Sequence, residues 1–426
     1  MIEFNYSLLF IITFATIICC KIATKGESRN FTLFALMMYT FIFIYSGIGG
    51  SLKEANSLYS IYYCIYLMVL TVVLKKSKRG LKYTSNDSLS FDSFIDKHAI
   101  KFILIYVLLN FSSLIYPDIK LSNLLSPPQP DLSSYNFEEE GSKAGMDGIS
   151  SLIYYIKSIF LPFFYWGLYK YNRNPKIVIG TLLFNLYVGY CASGYMSRSS
   201  MLFVLILSFM SIYRLLSPSK RRKLVISCVI AAPFLLYAFY QFSVMRLSSS
   251  TENISISQAV TVLFRQEIGY PLHFNDYFYK SDTYVSDFLG WLILLPLPGF
   301  LKFGHGMFAL NKTFSMLILG LEPSDQYFYV VLPGIVGEAI FVFGPFLFFV
   351  HAIILGMVIR YVMNTCDKCN SLIFVFYYYM VQFSFGMSRA GTISIYPSVF
   401  KYFVIIVFVL YMVKRKKKLQ LHKLIQ

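Results

Sequence analysis

The stretch that decides the fold is residues 333–359, PGIVGEAIFVFGPFLFFVHAIILGMVI. Its single acidic residue is Glu338, and as a helix the run is long enough to cross a hydrocarbon core of about 30 Å. Apolar runs of roughly 17 to 22 residues recur along the chain, and they lack the period-2 alternation of a membrane barrel. The sequence therefore predicts an all-α membrane protein.

Composition favours the same class. Of the 426 residues, 57% are hydrophobic and 14% are charged, which is more apolar than a soluble domain. Hydropathy predicts about eleven transmembrane helices, so we expect a polytopic membrane protein in which residues 1–426 form a single integral membrane domain. The predicted spans are 4–21, 31–49, 57–74, 100–116, 150–168, 177–193, 200–216, 224–243, 333–359, 371–387 and 398–413.

Lysine and arginine residues are concentrated in alternate connections, and this asymmetry predicts the orientation. The connections after spans 1, 3, 5, 7 and 9 are basic, and residues 414–426 form a basic tail that begins KRKKK. The positive-inside rule places these segments in the cytoplasm, so the N-terminus is predicted outside and the C-terminus cytoplasmic. Because most of the net charge of +17 is then topological, the sequence does not indicate nucleic-acid binding.

Two connections on the predicted outer side differ from the basic ones. Residues 117–149 form an acidic outer loop that contains the turn-rich sequence SPPQPD. Residues 244–332 form a much longer loop, which is too aromatic and apolar to be disordered. Its apolar pieces are short and interrupted by proline and glycine, so we predict a large extracytoplasmic loop containing short interfacial or re-entrant helices.

Four arginines lie on the predicted outer side, where the charge rule disfavours them. They are Arg198 in SRSS, Arg246 in VMRLSSS, Arg265 in LFRQEIGYP and Arg389 in GMSRAG. One interpretation is that each side chain reaches lipid headgroups. The other is a polyanion site, because arginine is always charged and its planar fork suits bidentate phosphate contacts.

Glu338 is predicted to lie near the outer end of its helix. Burial disfavours the charge of a carboxylate unless an arginine compensates, so Glu338 is expected to be either a structural counter-ion or a general base. Pro333, Gly334 and Gly337 would allow a backbone or a ligand to approach closely. They are equally consistent with the ordinary start of a helix.

These outer arginines, the SRS and SRAG segments, the large loop before a late span and the stretch PGIVGEAIFVFG resemble the O-antigen and capsular polysaccharide repeat-unit polymerases of the Wzy class. The resemblance covers the topology of nearly the whole chain and the sequence of those short segments. It implies a cell-envelope glycosyltransferase in the bacterial cytoplasmic (inner) membrane. Such an enzyme joins undecaprenyl-diphosphate-linked oligosaccharide repeat units on the outer face of the bilayer, and a chain-length regulator is a candidate partner.

The resemblance also implies roles for particular residues. Arg198, Arg265 and Arg389 would stabilise the negative charge on the departing diphosphate, without a metal or a cofactor. The attacking sugar hydroxyl needs a proton acceptor, and Glu338 is a candidate. Further candidates for substrate binding are Arg246, Glu267, His273, His305 and Lys157, of which Glu267 and His273 are also candidate proton acceptors.

Other functions remain open on the residues alone. A ligase that transfers a finished glycan from the same lipid carrier would need the same outer arginines. A lipid-linked oligosaccharide flippase would need charges along a cavity through the membrane, and a secondary transporter would need ionisable residues at mid-span. Cys366 and Cys369 form a C-x-x-C pair, but no second pair follows at zinc-binding spacing, so no metal site is predicted.

Overall fold

The computed structural model describes residues 3–77, 85–111, 216–228, 268–280, 282–294, 310–323, 330–366 and 382–392, together with single positions elsewhere in the chain. Within these ranges the chain is helical and forms no strand beyond an isolated bridge between Phe4 and Leu52. The chain divides into two compact units. The first comprises Met1–Ser93, Phe264–Leu297 and Leu301–Gln426, and the second comprises Phe94–Leu263 and Pro298–Phe300.

Four helices in the described ranges are long and apolar enough to cross a membrane. They are α1 (Tyr6–Thr24), α2 (Arg29–Ile42, continued by a π-turn at Phe43–Gly47 and a helical turn at Ile48–Gly50), α3 (Ser57–Lys76) and α8 (Gly334–Cys366). Helix α4 (Ser85–Phe111) crosses the boundary between the two units. The shorter helices are α5 (Phe274–Phe278), α6 (Val285–Leu294), α7 (Leu310–Leu319) and α9 (Met387–Ala390).

The first three spans follow the prediction closely. Helices α1, α2 and α3 coincide with predicted spans 4–21, 31–49 and 57–74 to within a turn at either end. Each follows a capping residue whose side chain accepts a backbone N–H of the first turn, and such caps stabilise helix starts. The caps are Asn5, Ser28 and Asn56 respectively.

Apart from span 333–359, which α8 covers, the other predicted spans are described in part or not at all. Helix α4 includes the start of the predicted span 100–116, and residues 382–390 include the end of 371–387. The remaining predicted spans lie largely outside the described residues, so the count of eleven stays a prediction. Short helices are present in the predicted loop 244–332, namely α5, α6 and α7.

Helix α3 packs one face into the first unit and leaves the other face exposed. Tyr59, Tyr63 and Tyr66 are fully buried at helical spacing, whereas Ile61 and Met68 are more than half exposed. A buried stripe opposite an exposed apolar stripe suits a helix that contacts protein on one side and lipid on the other.

The ends of three helices meet in a cluster of charged side chains. Arg360 near the end of α8 lies 2.6 Å from Glu27 after α1, and its Nε donates to the carbonyl of Ser77 after α3 at 3.0 Å. Lys75 of α3 pairs with the same Glu27 at 3.4 Å. The C-terminal ends of α1, α3 and α8 therefore share one side, as the positive-inside rule required. Which side is cytoplasmic stays a prediction.

Helix α8 covers the predicted span 333–359 but is broken at Gly344. Gly344 has φ 76° and ψ 173°, and Pro345 follows it. Residues 334–343, here called the buried arm, lie within the protein, whereas Phe346 immediately after the break is 85% exposed. Residues 345–366 alone are long enough to cross a bilayer at about 1.5 Å per residue.

Lys280 and Tyr284 satisfy the backbone carbonyls that the break leaves without a donor. Pro345 has no N–H, so the carbonyl of Phe341 has no donor four residues on. Lys280 Nζ donates to that carbonyl instead and lies 3.8 Å from the centroid of the Phe341 ring. The N–H of Tyr284 donates to the carbonyl of Val342 at 3.1 Å. The break is therefore stabilised by tertiary hydrogen bonds.

In the second unit, the described residues show α4 packing against a segment near residue 165. The ring of Phe102 lies 5.2 Å from that of Phe163, and the ring of Tyr106 stacks 4.4 Å from that of Phe164. Gly167 allows this approach, because a Cβ there would lie 2.8 Å from Ile103 Cγ1.

Candidate functional site

The structure describes three of the predicted site residues: Glu338, Arg389 and His273. The other predicted site residues lie outside the described residues, and their roles stay predictions; they are Arg198, Arg265, Arg246, Glu267, His305 and Lys157.

Glu338 lies at the centre of a buried chain of hydrogen bonds. Its side chain is fully buried, and its Oε1 lies 3.0 Å from Nε2 of His351. On the other ring nitrogen, Nδ1 of His351 lies 2.9 Å from the hydroxyl of Tyr66. The second carboxylate oxygen, Oε2, accepts the backbone N–H of Thr392 at 2.7 Å. Both oxygens of the carboxylate are thus engaged by protein groups.

The break in α8 is what brings Glu338 and His351 together. The two residues are 13 positions apart, which corresponds to about 20 Å along a straight helix. Because the chain turns sharply at Gly344, the buried arm lies beside the helix that follows it, and the two side chains meet.

The hydrogen-bonded chain links the start of α8 to the middle of α3. Tyr66 is nine residues beyond Ser57, the first residue of α3, which places it about 14 Å along a helix of about 30 Å. Glu338 is the fifth residue of α8 and is joined to Tyr66 through His351. Its position near the outer end of a span stays a prediction.

Gly391 is the residue that lets Thr392 reach Glu338. It ends α9 with φ 76° and ψ −163°, and its N–H donates to the carbonyl of Met387 at 2.8 Å. A Cβ on Gly391 would lie 1.7 Å from Glu338 Oε2, so no other residue fits. This backbone region is essentially restricted to glycine.

The turn that carries Arg389 is held at its base as well as at its tip. Met387 and Ser388 are fully buried, and Ser388 Oγ donates to the carbonyl of Ser384 at 2.6 Å. Arg389 itself is half-buried and lies between this base and Gly391. The residues of SRAG thus form a fixed turn against the buried arm.

The close approach expected at Gly334 and Gly337 is made by a tyrosine side chain. A Cβ on either glycine would lie 2.6 to 2.8 Å from the ring of Tyr270. The Tyr270 hydroxyl lies 2.8 Å from that of Tyr59 on α3, and burial raises the pKa of Tyr270 to about 12. The segment 268–280 therefore packs directly on the buried arm.

His273 belongs to the same segment but has a different environment. Its side chain is 42% exposed, and its Nδ1 lies 3.3 Å from Asp276 Oδ2. A histidine that is partly exposed beside a carboxylate remains a candidate proton acceptor.

Sequence reasoning missed His351, Tyr66 and Thr392. His351 carried a usable signal, since it is a polar residue within an apolar helix, and such residues are often functional. Tyr66 carried none, because it is one of 35 tyrosines. Among the described residues, no group of three or more His, Cys, Asp or Glu side chains is arranged to hold a metal ion.

The apolar helices and the buried polar chain between them define a helical membrane protein with a polar site inside its first unit. In comparisons with known proteins, no family model matches the chain, and no curated protein or solved structure shows significant similarity to it.

Proposed function

We propose that this protein is a repeat-unit polymerase of the bacterial cytoplasmic membrane, which joins undecaprenyl-diphosphate-linked oligosaccharides into O-antigen or capsular polysaccharide. One observation supports the proposal above the others. The segments PGIVGE and SRAG carry the resemblance to that class, and the residue directly after SRAG is bonded to the first of them by the hydrogen bond from Thr392 N to Glu338 Oε2, across 54 positions of sequence.

The chemistry of the proposed reaction suits an arginine on a fixed turn. A hydroxyl of the acceptor sugar forms a bond to the anomeric carbon of the donor chain, and the bond from that carbon to the diphosphate oxygen breaks. The electron pair leaves on the phosphate oxygen, and the hydroxyl proton passes to a base. A guanidinium held in place before the reaction stabilises the developing charge without reorganising, and we assign this role to Arg389.

A second candidate function is transport of the lipid-linked oligosaccharide across the membrane. The observation that favours it is that the Glu338–His351 pair flanks the break in α8 and is bonded to Tyr66 near the middle of α3. Ionisable residues within membrane spans, beside discontinuous helices, are typical of transporters. The polymerase proposal is preferred because it also assigns a role to the SRAG turn.

Complementation of a deletion strain tests the proposal. The strain is supplied with wild type, Arg389→Ala, Arg389→Lys or the control Arg222→Ala, each checked for membrane expression, and glycan length is read on gels. Arg222 is exposed on a helical segment of the second unit, so its replacement leaves the proposed site intact.

We expect deletion to leave single repeat units on the surface lipid and the control to restore long chains. Arg389→Ala should fail, because losing one such donor slows the step about 100- to 1,000-fold. Arg389→Lys should restore little, since lysine lacks the planar fork. Full restoration by Arg389→Ala would refute the assigned role. Failure to export any repeat units in the deletion strain would favour the transporter, and long chains accumulating on the lipid carrier would indicate a ligase.

A further inference from the structure

We infer that Glu338 is a positioning residue rather than the proton acceptor, and that His351 and Tyr66 hold it so that the SRAG turn presents Arg389 in one orientation. This inference rests on the proposed function, because it concerns how the same site is organised. It removes Glu338 from the candidate bases and adds two residues that were not among the predicted site residues.

The carboxylate of Glu338 is not accessible to a sugar hydroxyl. The side chains of Glu338 and His351 are 0% and 5% exposed. Both carboxylate oxygens already have protein partners, one on His351 and one on the backbone of Thr392. A sugar hydroxyl would have to displace one of these partners to reach the carboxylate. Arg389, by contrast, is half-buried and lies on the turn that the carboxylate holds.

The hydrogen-bonded chain has a definite proton order when Glu338 is ionised. An ionised carboxylate only accepts hydrogen bonds, so Nε2 of His351 then carries the proton that lies toward Glu338. Nδ1 is then an acceptor, and the Tyr66 hydroxyl donates to it at 2.9 Å. Nε2 also lies 3.2 Å from the hydroxyl of Thr392, so the His351 ring is held by Tyr66 on one side and by Glu338 and Thr392 on the other.

This order provides a substitution that separates positioning from proton transfer. In Glu338→Gln the side-chain carbonyl can still accept the Thr392 N–H, while the amide NH2 donates to Nε2 of His351. The histidine then changes tautomer, and its Nδ1–H donates to the Tyr66 hydroxyl, which can accept as well as donate. The amide can make the hydrogen bonds to His351 and to the Thr392 N–H but cannot take up a proton. Glu338→Ala removes these hydrogen bonds as well as the proton acceptor.

A labelling experiment measures the position of the turn without relying on activity. Cysteine is introduced as Ala390→Cys, and the full-length protein in detergent is treated with a maleimide. Modification of the peptide containing residue 390 is followed by mass spectrometry, so the native cysteines do not interfere. Ala390 is half-buried, so loosening of the turn should raise the rate.

We expect Glu338→Ala to raise the labelling rate about tenfold or more, because the turn loses a hydrogen bond to a charged group. Glu338→Gln should stay within about twofold of the starting protein. Glycan length in the complemented deletion strain should follow the same order, with long chains for Gln and short ones for Ala.

A pair of tyrosine variants on α3 keeps the test decisive if Glu338→Ala does not fold. Tyr66→Phe removes the hydroxyl that orients His351, whereas Tyr63→Phe removes one that lies 2.8 Å from Thr16. Both tyrosines are fully buried, so the general cost of losing a buried hydroxyl is matched. Labelling should rise severalfold in Tyr66→Phe and remain unchanged in Tyr63→Phe.

The outcomes separate this inference from the proposed function. Unchanged labelling in Glu338→Ala and Tyr66→Phe would overturn the inference whatever the protein does. Normal labelling with lost polymerisation in Glu338→Gln would also overturn it, and would make Glu338 the proton acceptor. If deletion of the gene leaves glycan length unaltered, the proposed function fails, while the labelling result still shows whether Glu338 holds the turn.

Discussion

Replacing Gly391 with alanine tests the contact between the SRAG turn and Glu338. A side chain in the backbone region that Gly391 occupies costs on the order of 1–3 kcal/mol. The new methyl group would lie 1.7 Å from Glu338 Oε2, so it would also separate the carboxylate from the Thr392 N–H. Losing a hydrogen bond to a charged group costs about 1.5–3 kcal/mol more. We expect Gly391→Ala to lower the free energy of unfolding by roughly 3–5 kcal/mol.

Gly344→Ala is the matched control, because Gly344 has nearly the same backbone conformation, with φ 76° and ψ 173°. Its Cβ would meet Thr283 Cγ2 at 3.4 Å, an ordinary van der Waals distance. Gly344→Ala should therefore lower the free energy of unfolding by the backbone strain alone, without a steric clash. Unfolding of the two purified variants in detergent measures the difference, which we expect to be about 2 kcal/mol. An equal cost for both variants would refute the described contact with Glu338.

Two further predictions concern the segment 280–284 and the charged cluster at the helix ends. Burial lowers the pKa of Lys280 to about 7, and the charge of Asp282 opposes the shift only in part. Between this value and the ordinary lysine pKa of about 10.4, the unfolded chain binds more protons than the native protein, so stability rises with pH. From pH 7 to 10, the unfolding midpoint of wild type should therefore rise relative to that of Lys280→Met. The same pH dependence of the midpoint in both proteins would contradict the lowered pKa. Arg360→Met should cost about 3–5 kcal/mol in unfolding free energy, because it leaves the Glu27 carboxylate with less compensation in a largely buried place. Adding Glu27→Gln should recover part of that loss, and a double variant no more stable than the single one would argue against a direct ion pair.

The sequence was sufficient to predict the helices whose signal is length and hydropathy. Helices α1, α2 and α3 are uninterrupted apolar runs that follow a capping side chain, so their position depends on local properties alone. The shared side of the C-terminal ends of α1, α3 and α8 was also predictable, because the positive-inside rule counts lysines and arginines.

The sequence has a Gly-Pro pair at the break, Gly344 and Pro345, but the apolar run continues through this pair. Hydropathy averages over about 19 residues and is insensitive to one bond. The break exists because Lys280 and Tyr284 supply donors to the carbonyls it exposes, and this tertiary compensation cannot be read from residues 333–359.

Some residues of the candidate site were predictable from the sequence, but the contacts between them were not. Glu338 and Arg389 were singled out because a charge in apolar surroundings is unusual. The link between them depends on Gly391, whose role appears only when the buried arm lies against the turn. His351 reaches Glu338 only because of the break, so no spacing rule on a straight helix could pair them.

The most direct test of the central proposal uses the purified protein in liposomes. The vesicles contain lipid-linked repeat units extracted from the deletion strain, and the products are analysed for chain length and for free undecaprenyl diphosphate. The proposal requires longer lipid-linked chains, with one undecaprenyl diphosphate released for each unit joined, and loss of both with Arg389→Ala. Movement of unaltered repeat units across the vesicle membrane, without chain growth or release of undecaprenyl diphosphate, would contradict it.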